Sequence, residues 1–261
     1  MRSDHPAVLL RTRTFAPSLF SSTFSALELS RQVSPGQFVM LEVPERSRPY
    51  LRRAYSVADA DPGAGEVEFL VKTIGPGTSA LERLTVGASV RLLGPFGSAF
   101  SLSGISAPDR VAIIAGGIGA APFPLVYRSL ARAGLVADLF LGGRSSADLS
   151  IASRFAGIVT GEVHLSTDDG SAGERGFITN VFARRAASVP YARVFACGPM
   201  PMFAALAPLV ARLGIESQFS TEAAMGCGFG ACLACVIPGV DQPFLVSCQE
   251  GPILDPARIR W

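Results

Sequence analysis

The chain changes its hydrophobic period twice. From about residue 5 to 105, short apolar runs are separated by turn residues: FSALELS, QFVMLEV, YSVAD, EVEFLVKTI and ASVRLLGP. Val67, Phe69 and Val71 recur at every second position, and Pro-Gly, Gly-Pro and Asp-Pro pairs stand between the runs. This is the pattern of a half-buried antiparallel sheet, so one small all-β domain, a β-barrel, is expected over 1–105. From about 106, continuous runs such as RVAIIAG and VADLFLGG alternate with helical stretches, among them PFPLVYRSLARAG, FITNVFARRAA and MFAALAPLVARLG. Strands alternating with helices predict a parallel sheet with right-handed crossovers over 106–215, a nucleotide-binding architecture. After Gly214 the helical period stops, and a strand-like IESQFSTE leads into a Gly- and Cys-rich tail over 216–261. That tail is too small to bury a core of its own.

Composition narrows the partners. A length of 261 residues suits two or three small domains. The formal net charge is +2 with both signs interspersed, which gives neither the basic stripe that nucleic acid demands nor one that anionic lipid demands. The start, MRSDHPAVLLRTRTF, has too short an apolar run for a secretory signal, so a cytoplasmic chain is expected. The longest uncharged stretch, VAIIAGGIGAAPFPLVY between Arg110 and Arg128, falls short of the roughly 20 residues of a membrane-spanning helix.

Cysteine placement brings in chemistry. Four of the five cysteines, Cys227, Cys232, Cys235 and Cys248, fall in one stretch, GCGFGACLACVIPGVDQPFLVSCQEGP. In a reducing compartment a disulfide explains them poorly, and a metal or metal cluster explains them better. The spacing is C-x4-C-x2-C-x12-C, and its first three members match the plant-type ferredoxin arrangement that holds a [2Fe–2S] cluster. Gly226, Gly228 and Gly230 suit a loop that wraps an anionic cluster with positive φ angles and inward N–H groups. Two alternatives remain at this point: a zinc knuckle using the C-x2-C of Cys232 and Cys235, and a redox dithiol, although that C-x2-C does not open a helix after a strand.

Three further stretches suit redox cofactors. In RRAYSVAD, Arg53 can pair with a phosphate, Tyr55 can stack on a flat ring and the Ser56 hydroxyl can bond a flavin nitrogen. Read alone, the same residues are ordinary surface and packing positions. LVKTIGPGTS puts Gly75, Gly77 and Thr78 in what reads as a tight turn, with N–H groups and a hydroxyl for pyrophosphate or simply a Gly-Pro-Gly turn. AGGIGAAPFP places Gly116, Gly117 and Gly119 at a strand-to-helix handover that admits a dinucleotide, without the G-x-G-x-x-G fingerprint. CGPMPMF, with Cys197, Gly198 and Pro199, follows a later strand and is expected opposite that loop. Cys197 read by itself is a small buried apolar residue, and His5 and His164 read as structural.

In this order, R-x-Y-S, G-x-G-T, the GG-x-G loop and the C-G-P-M turn resemble the ferredoxin–NADP reductase superfamily over about 5–215. STEAAMGCGFGACLACV with SCQEGPIL extends the likeness to the electron-transfer subunits of class 1B dihydroorotate dehydrogenases and nearly the whole chain. The resemblance implies FAD held by Arg53, Ala54, Tyr55, Ser56, Leu70, Val71, Lys72, Gly77 and Thr78, and cluster ligands Cys227, Cys232, Cys235 and Cys248. It implies that NAD lies near Gly116, Gly117, Gly119, Gly198, Pro199 and TDDGSAGERGFIT, with Cys197 beside the reacting rings. It also implies an FMN-containing catalytic partner, electrons delivered through the cluster and FAD to NAD, and a heterotetramer with two subunits of each kind. Ala54 stands where many relatives have proline. The cysteine loop is shared with subunits serving a hydrogenase or a ferredoxin-linked enzyme, which stands as the rival redox reading; a zinc-binding interaction module without redox activity stands as the rival of another class. Arg144, Ser145 and Ser146 leave NAD against NADP open.

Overall fold

A computed structural model describes residues 3–42 and 51–261. The first two residues of the starting stretch and the end of the QFVMLEV run lie outside the described residues. The N-terminal part contains β1 (Ser3–Ala16), β2 (Leu19–Ser25), α1 (Leu27–Gln32), β3 (Phe38–Glu42), β4 (Arg53–Ser56), β5 (Asp59–Asp61), β6 (Glu66–Lys72), α2 (Pro76–Glu82) and β7 (Ser89–Phe96). Its seven strands form one antiparallel sheet in the order β4-β3-β7-β1-β2-β6-β5. The two edge strands are consecutive in the chain, so the sheet has to curl until its edges meet. Val57 N–H bonds the Gln37 carbonyl at 3.0 Å and Ala58 N–H bonds the Glu68 carbonyl at 2.8 Å, stitching the two edges together. The inward positions Val67, Phe69 and Val71 join Phe20, Phe24, Val39, Leu41 and Tyr55 in the core.

Two local expectations change. FSALELS is not one strand: after Ser25 the alternation is lost, and Leu27–Gln32 forms α1, burying Leu29. GPGTS is not a free turn but the start of α2, with Pro76 at its first position, where the missing N–H costs nothing.

The second part continues with β8 (Arg110–Gly116), α3 (Phe123–Arg132), β9 (Val136–Gly143), α4 (Ser146–Leu149), β10 (Val163–Thr167), β11 (Glu174–Arg175), α5 (Ile178–Ala186), β12 (Arg193–Cys197), α6 (Met200–Leu213) and β13 (Glu216–Ser220). The tail adds β14 (Val236–Pro238), β15 (Phe244–Val246), α7 (Ser247–Glu250) and β16 (Ile253–Leu254). The second sheet runs β11-β10-β9-β8-β12-β13-β16, parallel except for β16. β13 pairs in parallel with β12, so the stretch grouped by sequence with the cysteine tail is part of the central sheet in the structure. The tail, expected to have no core, buries a small one of Ile237, Leu245, Leu254 and Ile259, and β16 returns to pair with Phe219 and Ser220, so the tail is ordered by that cluster and by an existing sheet edge. Among the described residues no helix is long and apolar enough to cross a membrane.

One apolar cluster spans both sheets, with Leu19, Ala58 and Leu70 from the curled sheet packed among Phe123, Tyr127, Leu149 and Phe155. At the opposite, N-terminal ends of the parallel strands the fully buried Asp138 accepts from Arg110 at 2.6 and 2.9 Å, from the Tyr191 hydroxyl at 2.6 Å and from Glu162 N–H at 2.7 Å. Burial alone raises this carboxyl, but the Arg110 and Tyr191 hydrogen bonds outweigh it and leave it below the usual range. Asp138→Asn is therefore expected to destabilise the protein by about 3 kcal/mol, the low end for a broken buried pair, because Arg110 keeps some access to solvent. Since the folded carboxyl is depressed, its contribution is complete above the ordinary carboxylate value of about 3.9 and is lost as pH falls through the folded value. Melting temperature followed across the acid range should fall less steeply in the variant than in the native chain.

Candidate functional site

The flavin segments come together at one edge of the curled sheet. On β4, Arg53 and Ser56 are half-buried, Ala54 is exposed and Tyr55 is buried. A Cβ on Gly77 would lie 2.6 Å from Arg53 Nε, so the guanidinium side chain rests directly on the start of α2. Tyr55 packs 6.2 Å from the Phe69 ring, centroid to centroid, and its hydroxyl is buried without a hydrogen-bond partner in the protein. Burial raises that phenol to about 12. An orphaned buried hydroxyl beside a half-buried arginine fits a cofactor that carries both a flat polar ring and phosphate. The Thr78 hydroxyl is already engaged: it accepts from Ile74 and Gly75 N–H at 2.9 and 3.1 Å and donates to the Gly75 carbonyl at 3.0 Å, so it caps α2. Leu70 and Val71 are buried at the end of β6, and Lys72 pairs with Asp148 at 2.5 Å.

The glycine loop and the C-G-P-M turn meet at the switch point of the second sheet. From β8 the chain winds one way to β9 and β10, and from β12 the other way to β13, which leaves a crevice beyond the ends of β8 and β12 where such folds bind nucleotides. Gly119 sits against the carbonyl of Cys197, where a Cβ would lie only 2.3 Å from oxygen, and a Cβ on Gly116 would lie 2.7 Å from Pro199. These two glycines let the two loops press together, while Gly117, at φ +54°, faces open space. Cys197 pairs with Ala115 and Ser220 across the sheet. Burial first, and the Glu222 charge second, push its thiol well above the usual range, so it stays protonated at neutral pH. TDDGSAGERGFIT begins at the end of β10 beside β9, with Asp168 N–H bonded to the Gly143 carbonyl at 3.0 Å and Asp169 N–H to the Arg144 carbonyl at 3.2 Å.

In the cysteine loop, backbone N–H bonds to sulfur link Cys232 to Cys227 and Cys248 to Cys235. Cys227 Sγ accepts from Phe229 and Cys232 N–H at 3.5 and 3.4 Å, and Cys235 Sγ accepts from Cys248 N–H at 3.4 Å. Although burial opposes it, the N–H groups of Cys232, Phe229 and Ala231 bring the Cys227 thiol down to about 6. Gly228 and Gly230 take φ +80° and +91°, the inward-turned backbone expected of them, whereas Gly226 lies outside that region. Among the described residues no three His, Cys, Asp or Glu side chains converge as a single-ion site. Four cysteines in one loop at this spacing, with N–H groups aimed at sulfur, fit a binuclear iron–sulfur cluster better than one zinc ion. The loop sits on the flavin side: Met40, paired with Ala54 across β3 and β4, lies against Gly228, and Phe38, Met40 and Phe96 pack with Cys235 and Cys248.

Glu222 escaped the sequence reading. It follows β13 by two residues, it is exposed with no hydrogen-bond or ion-pair partner among the described residues, and crowding by protein raises its carboxyl above the usual range. Ser220, two residues before it, pairs with Cys197 across the sheet, which sets Glu222 at the same end of the strands. The available signal was a lone acid between the last parallel strand and the first cysteine. Asp148, 76 residues from Lys72, left no local signal at all.

Two outcomes follow from this geometry. Cys232→Ser should lose the iron–sulfur absorbance while retaining FAD, because the proposed iron and flavin ligands lie on separate segments; metal and flavin analysis of purified protein checks it. Gly119→Ala should cost about 1–3 kcal/mol through overpacking and should weaken NADH binding, with FAD and iron contents unchanged, as read by thermal melting and NADH titration.

Comparison with known proteins agrees with this layout. The family model for the iron–sulfur cluster binding domain of dihydroorotate dehydrogenase B matches residues 222–260, an oxidoreductase FAD-binding domain matches 19–100 and an oxidoreductase NAD-binding domain matches 113–207. The NAD-dependent dihydroorotate dehydrogenase B electron transfer subunit of Geobacillus kaustophilus is 34% identical over 92% of each chain. That of Desulforamulus reducens is 31% identical over 98% of this chain and 97% of its own. Among solved structures, an NADH-dependent reduced ferredoxin–NADP oxidoreductase superposes with a TM-score of 0.86 over 98% of this chain and 90% of its own at 24% identity, a likeness of fold. With its three segments each matched and relatives aligned over nearly its full length, this chain belongs to the family of dihydroorotate dehydrogenase B electron transfer subunits.

Proposed function

We infer that the protein is the NAD-linked electron-transfer subunit of a dihydroorotate dehydrogenase, taking electrons from a separate catalytic subunit through [2Fe–2S] and FAD to NAD+ in pyrimidine biosynthesis. The observation that carries this reading is the cysteine loop lying against the β4 flavin strand through Met40, while its tail is tied to the curled sheet by Ser98–Ile253 and to the β12–β13 edge by β16. Bound FAD supplies the conversion between single electrons and a hydride, which neither a cluster nor a nicotinamide performs alone.

The chain's own residues position and shield. Arg53 is placed for the cofactor phosphate, while Tyr55 and Ser56 present polar atoms to the flavin. Cys227, Cys232, Cys235 and Cys248 are the proposed cluster ligands. Gly117, Gly198 and Pro199 border the nicotinamide crevice, and Cys197 offers a neutral sulfur at its floor. Nothing in this arrangement calls for an acid or base of matched pKa.

The proposed partner is an FMN-bearing catalytic subunit, assembled with this one two by two. Its docking face is the outside of the β14–β15 hairpin. Ile237 and Leu245 point inward, yet the outward Val236 and Phe244 are also apolar, at 42% and 58% exposure. Phe229 and Leu233 are exposed nearby, and so is the Cys232 ligand itself. A hairpin apolar on both faces, beside an exposed ligand, suits a subunit that receives electrons from that side.

Anaerobic visible spectra before and after NADH test the reading. Flavin bands with broad iron–sulfur absorbance, both bleached by NADH, are expected, followed by dihydroorotate-dependent NADH formation once the catalytic subunit is added. Protein that stays colourless after reconstitution with FAD, iron and sulfide would return the zinc module. Phe244→Asp should leave the spectrum unchanged and weaken association with the catalytic subunit roughly five- to thirtyfold in sedimentation or calorimetric titration, as loss of an interface anchor costing about 1–2 kcal/mol does.

A further inference from the structure

Strand β6 has two faces with different duties. Val67, Phe69 and Val71 enter the core of the curled sheet, while Glu68, Leu70 and Lys72 face the central sheet. Against that second face lies one short segment, α4 and the 3₁₀ turn Ser150–Arg154 that follows it. Its residues match β6 in order and in sign. Asp148 meets Lys72 at 2.5 Å, Leu149 and Ile151 join the apolar cluster around Leu70, and Arg154 meets Glu68 at 2.7 Å and Asp59 at 2.6 Å. Arg128 of α3 adds a second contact to Asp59 at 2.6 Å. The ends carry opposite charge, so sliding or reversing the segment would set like against like. All four side chains of the two end pairs are largely withdrawn from solvent, at 13–27% exposure.

Asp148 has a second attachment. Its other oxygen accepts Arg144 N–H at 3.0 Å, and its Cβ occupies the space beside Gly143, where an added Cβ would come within 2.6 Å. One carboxylate therefore ties the flavin-side strand to the turn after β9, which also holds Asp168 and Asp169 through backbone bonds. Burial would raise this carboxyl, but Lys72 and the Arg144 N–H keep it below the usual range, so it is charged at neutral pH.

We propose that Asp148 and Arg154 are positioning residues for the exchange between flavin and nicotinamide: they clamp β6 at both ends and so fix the register of the two cofactor-binding halves. The proposal rests on the reading that FAD lies along β4 and β6 and the dinucleotide beyond β8 and β12. It gives Lys72 a role through Asp148 in place of a direct one on the cofactor.

The test is a double-mutant cycle in the holoprotein, using Lys72→Met, Asp148→Asn and the pair; Asn keeps an acceptor for Arg144 N–H. Each single change should slow NADH-driven bleaching of the flavin about tenfold in stopped flow, as a small misplacement of reacting groups does. The pair should be no slower than the slower single variant. FAD and iron contents should stay at the native level, amide exchange should quicken in β6 and α4, and Asp148→Glu should recover part of the rate. Additive slowing, unchanged rates, or loss of FAD in Lys72→Met with a native-like Asp148→Asn would each overturn the clamp. Native protein that NADH fails to bleach would instead overturn the functional reading on which the clamp rests.

Discussion

The seam between the curled sheet and the central sheet governs the rest of the molecule. Apolar burial there is continuous, with Leu19, Ala58 and Leu70 packed among Phe123, Tyr127 and Phe155, so the two halves share a core instead of meeting as two finished surfaces. Burial alone is non-directional and sets no register. Direction comes from polar contacts at the margins of the seam, where Leu125 N–H bonds the Ala58 carbonyl at 2.7 Å and Asp59 takes Arg128 and Arg154. A protein with an FAD-binding and an NAD-binding domain gains from such a division, in which area supplies cohesion and a few ion pairs supply geometry.

The tail depends on the same seam. Ser98 Oγ lies 3.1 Å from both the carbonyl oxygen and the nitrogen of Ile253, Ser98 N–H bonds the Gly251 carbonyl at 2.7 Å, and β16 completes the sheet edge at β13. The cysteine loop between them is thus held at both ends by contacts within the protein. Its inner wall, Phe38, Met40 and Phe96, comes from the strands that also align β4. One set of packed side chains therefore serves as floor to the cysteine loop and as support to the flavin strand.

What could be read from the sequence was whatever depends on short-range pattern. The change from period two to alternating strands and helices separated the two sheets, and the cysteine spacing with Gly228 and Gly230 anticipated the loop's positive φ angles. GPGTS was misread because Pro-Gly marks a turn as readily as a helix start, and only Thr78 turning back on Gly75 settles the matter. Glu216–Ser220 was grouped with the tail because a strand's partners are not written in its own residues. The glycines of AGGIGAAPFP were visible, but the reason for two of them, the backbone of Cys197 and the ring of Pro199, lies some 80 residues away. Lys72 with Asp148 and Glu68 with Arg154 belong to the same class, long-range pairs between residues that look like ordinary surface charge in isolation.

The charge pattern at the crevice completes the physical picture. Deeply buried acids elsewhere in the chain are neutralised by arginine, as Asp138 is by Arg110 and Asp59 by Arg128 and Arg154. Glu222 differs: it is exposed, and among the described residues it has no arginine partner, while crowding by protein raises its carboxyl above the usual range. The thiol next to it is raised by burial and by that same carboxyl. Burial and the neighbouring carboxyl together disfavour a thiolate at Cys197, so the sulfur between the two strands adds no charge of its own. On the proposed reading, in which a nicotinamide binds there, a neutral sulfur suits the site, because fixed charge would favour one redox state of that ring over the other.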